Sequence, residues 1–236
     1  ADYAFEYEAV PNPATWPVKY DFWVNQESLR GGQEVYEFTY QHGGSGDPGT
    51  PSLRAVETRP DDSQVVTYFD SAGELLSKVV KNSAGVAVQR EINQYADKYR
   101  LFRIHDSAIA AYQDFADTGG FGFSFTAAQA GSVDFWLYIA FVSGPASAID
   151  RVWMQGVYTW DAVASSNIFY FKRKYEYEER VVEGVPIAKV KTQYDYSDVV
   201  AFTPAQISAG ALNNPAIMGP IDAAAAKTFG FSGRTC

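Results

Sequence analysis

The sequence predicts a mainly β protein, folded as an antiparallel curved sheet or an open half-barrel with a few short helices. Three observations favour this class. Runs of β-branched and aromatic residues alternate with polar residues, and Gly, Pro, Asn and Asp separate the runs. Aromatic residues make up 16% of the 236 residues, which suits half-buried pleated strands. Only 20% of the residues are charged, so the chain can bury a sizeable core.

The first predicted strands lie near the start of the chain. Every second residue from 3 to 7 is aromatic, which predicts a strand over residues 1–10 that ends at Pro11. Residues 20–24 and 34–40 predict the next strand pair.

A three-stranded meander is predicted over residues 65–69, 74–80 and 86–92. The two turns between these strands begin with Asp70 and Asn82, and each turn ends with Gly three residues later. An Asx residue at the first position and Gly at the last position suit a type I turn followed by a left-handed residue.

The middle of the chain predicts one helix and two strands. Asp106 can cap a helix over residues 106–115, because the apolar residues that follow it have helical spacing. Residues 133–142 are apolar except for Asp134, which predicts a strand buried on both faces. Residues 151–160 predict another strand.

A long hairpin is predicted over residues 167–196, with its turn around Glu183-Gly184. Strict alternation of apolar and charged residues indicates a sheet that is wetted on one face. In this prediction the apolar face of the first strand is interrupted only by Arg173 and carries Phe169, Phe171, Tyr175 and Tyr177.

The end of the chain has a different composition. Thr203-Pro204-Ala205-Gln206 has the residues of a helix start, and residues 222–226 predict a second short helix. Residues 1–205 are therefore predicted to form a single antiparallel β domain. Residues 206–236 are predicted to be a helical or irregular segment that wraps the same domain.

Composition excludes several classes of partner. The net charge of −9 and the pI of about 4.7 argue against nucleic-acid binding. No apolar run approaches the roughly 20 residues that span a bilayer, so the chain is not predicted to be membrane-spanning. The chain starts at Ala1 without an initiator Met, which favours a secreted protein, extracellular or periplasmic.

The only cysteine is Cys236, the last residue of the chain, so no disulfide can form within the chain. A harmless exposed thiol and a disulfide-linked homodimer through Cys236 both stay open.

No catalytic or metal-binding residues are predicted. No G-x-S-x-G motif surrounds any serine, and His42 and His105 are the only histidines. The carboxylates Glu176, Glu178 and Glu179 are best interpreted as solvated charges that balance nearby lysines, although a glycosidase needs only two carboxylates. An enzyme is therefore the less favoured class.

The aromatic face is the feature that predicts a function. A curved sheet with one apolar side can enclose a space for a hydrophobic small molecule, and tyrosine hydroxyls can orient a polar head group. No cofactor is predicted beyond a bound lipid, fatty acid or pigment. The predicted ligand-binding residues are Trp136, Trp153, Phe169, Phe171, Arg173, Tyr175, Tyr177, Tyr194 and Tyr196.

One family resemblance supports the same prediction. The segments Trp153-Met154-Gln155-Gly156-Val157-Tyr158, Tyr194-Asp195-Tyr196 and Phe202-Thr203-Pro204, with the hairpin between the first two, are similar to the ependymin-related proteins. The resemblance covers mainly residues 150–205, and the paired cysteines of the family have no counterpart here. It implies the fold of the bacterial lipoprotein carriers, an open half-barrel that holds a lipid-like ligand.

Two other functions fit the sequence. A structural or surface-interaction protein, such as a matrix, coat or adhesion component, could be linked through its C-terminal cysteine. A carbohydrate-binding or carbohydrate-active β protein could stack sugars on exposed aromatic residues.

Overall fold

The computed structural model describes residues 3–12, 19–44, 46–96, 99–128, 130–138, 146–163, 165–202 and 226–228. In these residues the predicted fold class is confirmed, because the chain is mainly antiparallel β-structure in an open arrangement of strands. The strands are β1 (Ala4–Asn12), β2 (Lys19–Leu29), β3 (Glu34–His42), β4 (Leu53–Thr58), β5 (Gln64–Phe69), β6 (Leu75–Lys81), β7 (Ala87–Ala96), β8 (Tyr99–His105), β9 (Ile109–Asp114), β10 (Phe123–Ala127), β11 (Ser132–Tyr138), β12 (Val152–Asp161), β13 (Ser166–Val182), β14 (Val185–Phe202) and β15 (Ala226–Thr228).

Helical structure in the described residues is limited to single 3-10 turns. No helix in this part of the chain has the length and apolar character that crossing a bilayer requires. The 3-10 turns lie at Arg30–Gly32, Asp106–Ala108, Ala116–Thr118 and Ala146–Ala148.

Contacts divide the chain into two compact units. The first unit consists of Ala1–Asn93 and Ala111–Thr126, and the second consists of Gln94–Ala110 and Ala127–Cys236. The prediction of a single domain over residues 1–205 stays a prediction. Most of the predicted C-terminal segment lies outside the described residues, as does the helix start at residues 203–206.

In the first unit, strands β1 to β7 follow one another in chain order and each is antiparallel to the next. The core lies on one face of β4 to β6, where Val56, Val66 and Val79 are paired across the strands and buried. In the next row, Tyr68 lies opposite Ser77 and is fully buried. The predicted meander over residues 65–92 is confirmed.

The predicted helix over residues 106–115 is wrong. Asp106–Ala108 forms one 3-10 turn, and the chain then continues as strand β9, which pairs with β10. Helical spacing in a short segment does not separate helix from strand, because tertiary pairing decides between them. Here Asp114 is buried and accepts a hydrogen bond of 2.6 Å from the Tyr68 hydroxyl, which fixes the end of β9.

Several predicted boundaries also change. Strand β1 continues through Pro11, which lies opposite Tyr20. The predicted strand over 133–142 is described as Ser132–Tyr138 and alternates in burial, with Val133 and Phe135 buried. Ala226, placed in a helix by the sequence, begins strand β15, and residues 222–225 lie outside the described residues.

In the second unit, β8, β11, β12, β13, β14 and β15 are hydrogen-bonded in that order. Each neighbouring pair in this order is antiparallel. The long predicted hairpin is confirmed as β13 and β14. The hairpin turns at Glu183 and Gly184, both of which have positive φ.

The predicted aromatic face of β13 is wrong, because one extra residue reverses the alternation. Gly156 of β12 lies opposite Phe171, but the preceding residue Gln155 lies opposite Arg173. Lys172 is therefore unmatched, as in a β-bulge. A one-residue offset moves every later side chain to the other face. Tyr175 and Tyr177 thus lie on the face opposite to Phe169.

Candidate functional site

An apolar cavity of about 150 Å³ lies within the second unit. Its floor is built by three neighbouring strands, which contribute Ile104 from β8, Val133 from β11 and Tyr158 from β12. The cross-strand pairs Val133–Ile104 and Val133–Tyr158 place these three side chains on one face of the sheet. Small residues complete the lining, namely Ala108, Ala127, Ala128 and Gly131.

The wall of small residues is held by close backbone contacts. The backbone N–H of Ala128 donates to the carbonyl oxygen of Ala108 at 3.0 Å, and the N–H of Ser132 donates to Oγ of Ser107 at 3.2 Å. Gly131 has a φ of +140°, and a Cβ at this position would lie 2.3 Å from Cα of Ala108. Only glycine therefore permits this approach, and the approach closes one side of the cavity.

An aromatic cluster adjoins the cavity on the same face. The rings of Phe102 and Tyr158 are 6.1 Å apart in an edge-to-face arrangement, and the rings of Tyr158 and Phe169 are 5.1 Å apart. Phe135 is buried and lies 5.6 Å from Phe169, also edge to face. Such pairs add about 0.5–1.5 kcal/mol each beyond the burial of their area. The cluster therefore forms a packed apolar surface beside the cavity.

Gly156 makes room for this cluster. A Cβ at Gly156 would lie 2.8 Å from Cζ of Phe135 and 2.3 Å from the carbonyl oxygen of Tyr170. The Phe135 ring thus occupies the space that a side chain at position 156 would need.

Tyr158 is the one described lining residue of the cavity with a polar group on its side chain. Burial raises the pKa of Tyr158, so the hydroxyl stays protonated at neutral pH. It has no hydrogen-bond partner among the described residues. The cavity can therefore hold an apolar group and offer one donor or acceptor to a polar atom on it.

The predicted ligand-binding residues are not brought together. Phe169 belongs to the aromatic cluster, whereas Trp136 lies on the opposite face with the guanidinium of Arg100 at 4.4 Å from its ring centroid. Arg173 donates from Nε to Oδ1 of Asp195, an ion pair between facing residues of β13 and β14.

The predicted tyrosines make contacts within the hairpin region. The Tyr177 hydroxyl donates to the carbonyl oxygen of Val152 at 2.6 Å, and its ring lies 6.4 Å from that of Tyr175. The Tyr194 hydroxyl donates to Glu176 at 3.0 Å, and the ammonium of Lys174 lies 5.4 Å from the Tyr194 ring.

Of the three other predicted residues, only the side chain of Trp153 is described, and it does not line the cavity. Trp153 is half-buried, and the β11–β12 register leaves it unmatched between Met154 and Val152. The side chains of Phe171 and Tyr196 lie outside the described residues.

Sequence reasoning missed most of the cavity. The residues that line it are small or aliphatic, and long-range pairing of β8, β11 and β12 brings them together. The one local signal was the cluster of small residues between Ala127 and Gly131, interrupted only by Gln129, directly before an apolar strand. The aromatic residues instead predicted a ligand site on the hairpin.

The carboxylates of the hairpin are engaged in local pairs. Glu176 accepts from Lys174 at 3.4 Å, and Glu178 accepts from Arg180 at 3.0 Å. Oε2 of Glu179 accepts from the backbone N–H of Ser147 at 3.2 Å. In the part of the chain that the structure describes, no three His, Cys, Asp or Glu side chains are placed to hold a metal ion together.

The fold and cavity together define a mainly antiparallel β protein with a small apolar cavity on one sheet face. Comparisons with protein-family models, with curated proteins and with solved structures found no match to this chain. The resemblance to the ependymin-related proteins stays a prediction.

Proposed function

We propose that this protein binds a hydrophobic small molecule and has no catalytic role. The observation that carries the proposal is the apolar cavity beside the aromatic cluster, with Tyr158 lining both. A lipid, a fatty acid or a pigment belongs to this class of ligand, and a secreted carrier is the setting that the sequence favours.

The volume of the cavity limits what enters it. A space of about 150 Å³ holds one aromatic ring or a short alkyl chain, not a whole lipid. Burying about 100–150 Å² of apolar ligand surface contributes roughly 2.5–4 kcal/mol. A single ring is therefore expected to bind with a Kd of roughly 1–15 mM, and the rest of a larger ligand would contact the aromatic cluster outside the cavity.

The direct experiment is native mass spectrometry of protein purified from its source, followed by solvent extraction. A stoichiometric lipid or pigment in the extract supports the proposal and identifies the ligand. A clean mass of the unliganded chain argues against a tightly held ligand.

The cavity itself is tested with toluene as the probe, observed by saturation-transfer NMR. Ala128→Leu places a large side chain in the cavity and is expected to abolish saturable toluene binding. Ala87→Leu is the matched control, because Ala87 is exposed on β7 in the first unit. Equal binding by the wild type and Ala128→Leu would contradict a site in this cavity.

A second candidate function rests on a different observation. Strand β1 and the residue before it expose aromatic side chains, with Tyr3, Phe5 and Tyr7 exposed by 64%, 49% and 59%. Exposed aromatic residues in a row favour a surface-interaction protein. Sedimentation velocity of the wild type and Phe5→Ser, each with and without reductant, tests this function. Association that is lost in Phe5→Ser supports it, and a dimer that collapses only on reduction assigns the contact to Cys236.

A further inference from the structure

A polar groove of about 240 Å³ lies in the second unit on the face opposite to the apolar cavity. The alternation of β11 establishes this, because the side chains of Val133 and Phe135 pack on the cavity face, whereas Asp134 and Trp136 line the groove. Phe135 and Gly156 also border the groove. The other polar side chains of the lining are Arg103, Gln155 and Lys172.

One ion-pair cluster fixes the charge on one side of the groove. Arg103 donates to Oδ2 of Asp134 from Nε at 3.0 Å and from Nη2 at 2.8 Å. Nε2 of His105 lies 3.0 Å from the same oxygen. Asp134 thus compensates Arg103 and holds its guanidinium in place.

The remaining charges of the groove are positive. Lys172 makes no hydrogen bond or ion pair with any described residue. The guanidinium of Arg100 lies 4.4 Å from the Trp136 ring centroid, and that of Arg103 lies 5.9 Å from it. The residues that line the groove carry two cations and one carboxylate, and Arg100 beside Trp136 adds a third cation, in a chain whose net charge is −9. Arg173 and Asp195, which the register places on the same face, form an ion pair with each other. A local excess of positive charge in an acidic chain attracts anions.

Alternation along β13 places Lys172 in the groove. Phe169 lies on the cavity face, and Lys172, three residues later, therefore lies on the opposite face. The reversal of alternation begins at the next residue, Arg173, and bulges of this kind are frequent beside functional sites. The lysine lies in the same groove as Gln155, whose amide can donate a hydrogen bond.

We infer that this groove binds a small organic anion, a carboxylate attached to a planar or apolar group. The carboxylate pairs with the Lys172 ammonium and accepts from the Gln155 amide, and the apolar group lies against Trp136 and Val157. One uncompensated lysine and one amide suit a singly charged group. A phosphate dianion would call for more donors than this pair offers. This site is independent of the proposed apolar cavity, because the two lie on opposite faces of the sheet.

Isothermal titration calorimetry with benzoate tests the inference. Benzyl alcohol serves as the neutral analogue, and inorganic phosphate as the non-planar anion. Benzoate is expected to bind saturably with a Kd on the order of 1 mM. Raising the salt concentration is expected to weaken this binding. Benzyl alcohol or phosphate binding as tightly as benzoate would overturn the carboxylate assignment.

Two lysine variants locate the site. Lys172→Gln is expected to weaken benzoate binding at least about tenfold, the usual effect of losing one charge-assisted hydrogen bond. Lys191→Gln is the matched control, because Lys191 is the unmatched residue of a second register shift in the same hairpin and does not line the groove. An equal loss in both variants, or no loss in Lys172→Gln, would overturn the inference.

The same two probes separate this inference from the proposed function. Lys172→Gln is expected to keep toluene binding, and Ala128→Leu is expected to keep benzoate binding. Loss of benzoate binding in Ala128→Leu, with Lys172→Gln unaffected, would assign benzoate to the apolar cavity and overturn the groove site.

Discussion

Two glycines allow the apolar face of the second unit to form. Gly131 admits the backbone of Ala108 at one wall of the cavity, and Gly156 leaves room for the ring of Phe135. A methyl group at either position would lie inside the contact distance of neighbouring heavy atoms. Since interiors are packed like organic crystals, such a clash is relieved only by moving the backbone or a buried ring.

Gly156→Ala is therefore expected to destabilise the protein by about 1–3 kcal/mol. The added Cβ would meet the Tyr170 carbonyl oxygen and the Phe135 ring, both of them part of the folded sheet. Urea unfolding followed by fluorescence measures the change in the free energy of unfolding. Gly46→Ala is the control, because a Cβ there has nothing within 4 Å and should change stability by less than about 0.5 kcal/mol. Equal stabilities of the two variants would contradict this account of Gly156.

Arg173, which interrupts the apolar residues of β13, was predicted from the sequence to be a ligand-binding residue. Its guanidinium donates to Asp195, which also accepts from Nε2 of Gln193. The hydrogen bond that Arg173 donates to the Asp195 carboxylate raises the pKa of Arg173, so its side chain stays charged. The contacts of Arg173 are thus those of a structural residue.

Arg173→Leu is accordingly expected to leave toluene binding unchanged. Because the ion pair is partly exposed, its loss should cost no more than about 1 kcal/mol of stability. Asp195→Asn should have the same effects on toluene binding and stability, since it removes the other partner of the same ion pair. The measurements are saturation-transfer NMR for binding and urea unfolding for stability. A loss of toluene binding in Arg173→Leu alone would restore the ligand-binding role.

At the scale of the elements, the two turns of the meander share one hydrogen-bond pattern but differ in burial and in their contacts with the rest of the chain. Oδ1 of Asp70 accepts from the backbone N–H groups of Ala72 and Glu74, each at 2.9 Å. Oδ1 of Asn82 accepts in the same way from residues 84 and 86, at 3.1 and 3.0 Å. Only Asp70 is buried, and its Oδ2 also accepts from the N–H of Gly49 at 3.0 Å. The first turn is therefore tied to a distant loop.

This difference predicts unequal costs for the same substitution. Asn82→Ala is expected to cost about 0.5–1 kcal/mol, because two exposed backbone donors can turn to water. Asp70→Ala is expected to cost about 2–3 kcal/mol, because the donors it leaves lie beside a buried position. Asp70→Asn keeps Oδ1 but loses the acceptor for Gly49, so it should fall between the two. Urea unfolding of the three variants gives the order, and equal costs at positions 70 and 82 would refute the role of Gly49.

The same elements show what the sequence can predict. The meander turns follow from Asx and Gly at fixed offsets, so the pattern and the fold agree residue by residue. The bulge at Lys172 has no such signal, because an unmatched residue is defined by the strands on either side of it. The predicted face of the hairpin failed at this residue. The predicted ligand site, which was drawn on that face, is therefore not assembled from the residues named for it.

At the scale of the whole molecule, the fold class follows from composition and alternation, whereas the cavity does not. Strand after strand pairs with its neighbour in chain order, and local patterns are sufficient to predict such a topology. The cavity depends on β8 pairing with β11, two strands that are separated by β9 and β10 in the chain. Nothing in the sequence of either strand identifies that partner, so Ile104 and Tyr158 could not be placed together in advance.

The aromatic composition has a further consequence for the whole chain, its behaviour at alkaline pH. Burial raises the pKa of several tyrosines in both units, among them Tyr68, Tyr112 and Tyr158, and it raises the pKa of Tyr177 to about 12. An unfolded chain loses these phenolic protons near pH 10. Below pH 10 both states are protonated, so the stability is fully present there. Between about pH 10 and 12 the unfolded state binds fewer protons than the folded state, and stability falls as pH rises.

Tyr177 provides the sharpest test of this fall. Each such tyrosine contributes up to about 1.4 kcal/mol per pH unit above pH 10, and less where the ring is partly exposed. Tyr177→Phe removes one titrating group, so its stability should decline less steeply with pH than that of the wild type. Tyr177→Phe also loses the hydrogen bond to the Val152 carbonyl oxygen. This loss lowers the free energy of unfolding by the same amount at each pH up to 10, so it does not change the slope of stability against pH in that range. Tyr3→Phe is the control at an exposed position. Urea unfolding at pH 9, 10 and 11, with tyrosinate absorbance recorded in parallel, gives the three slopes. If the Tyr177→Phe slope equals that of the wild type, burial of the Tyr177 hydroxyl does not govern its titration.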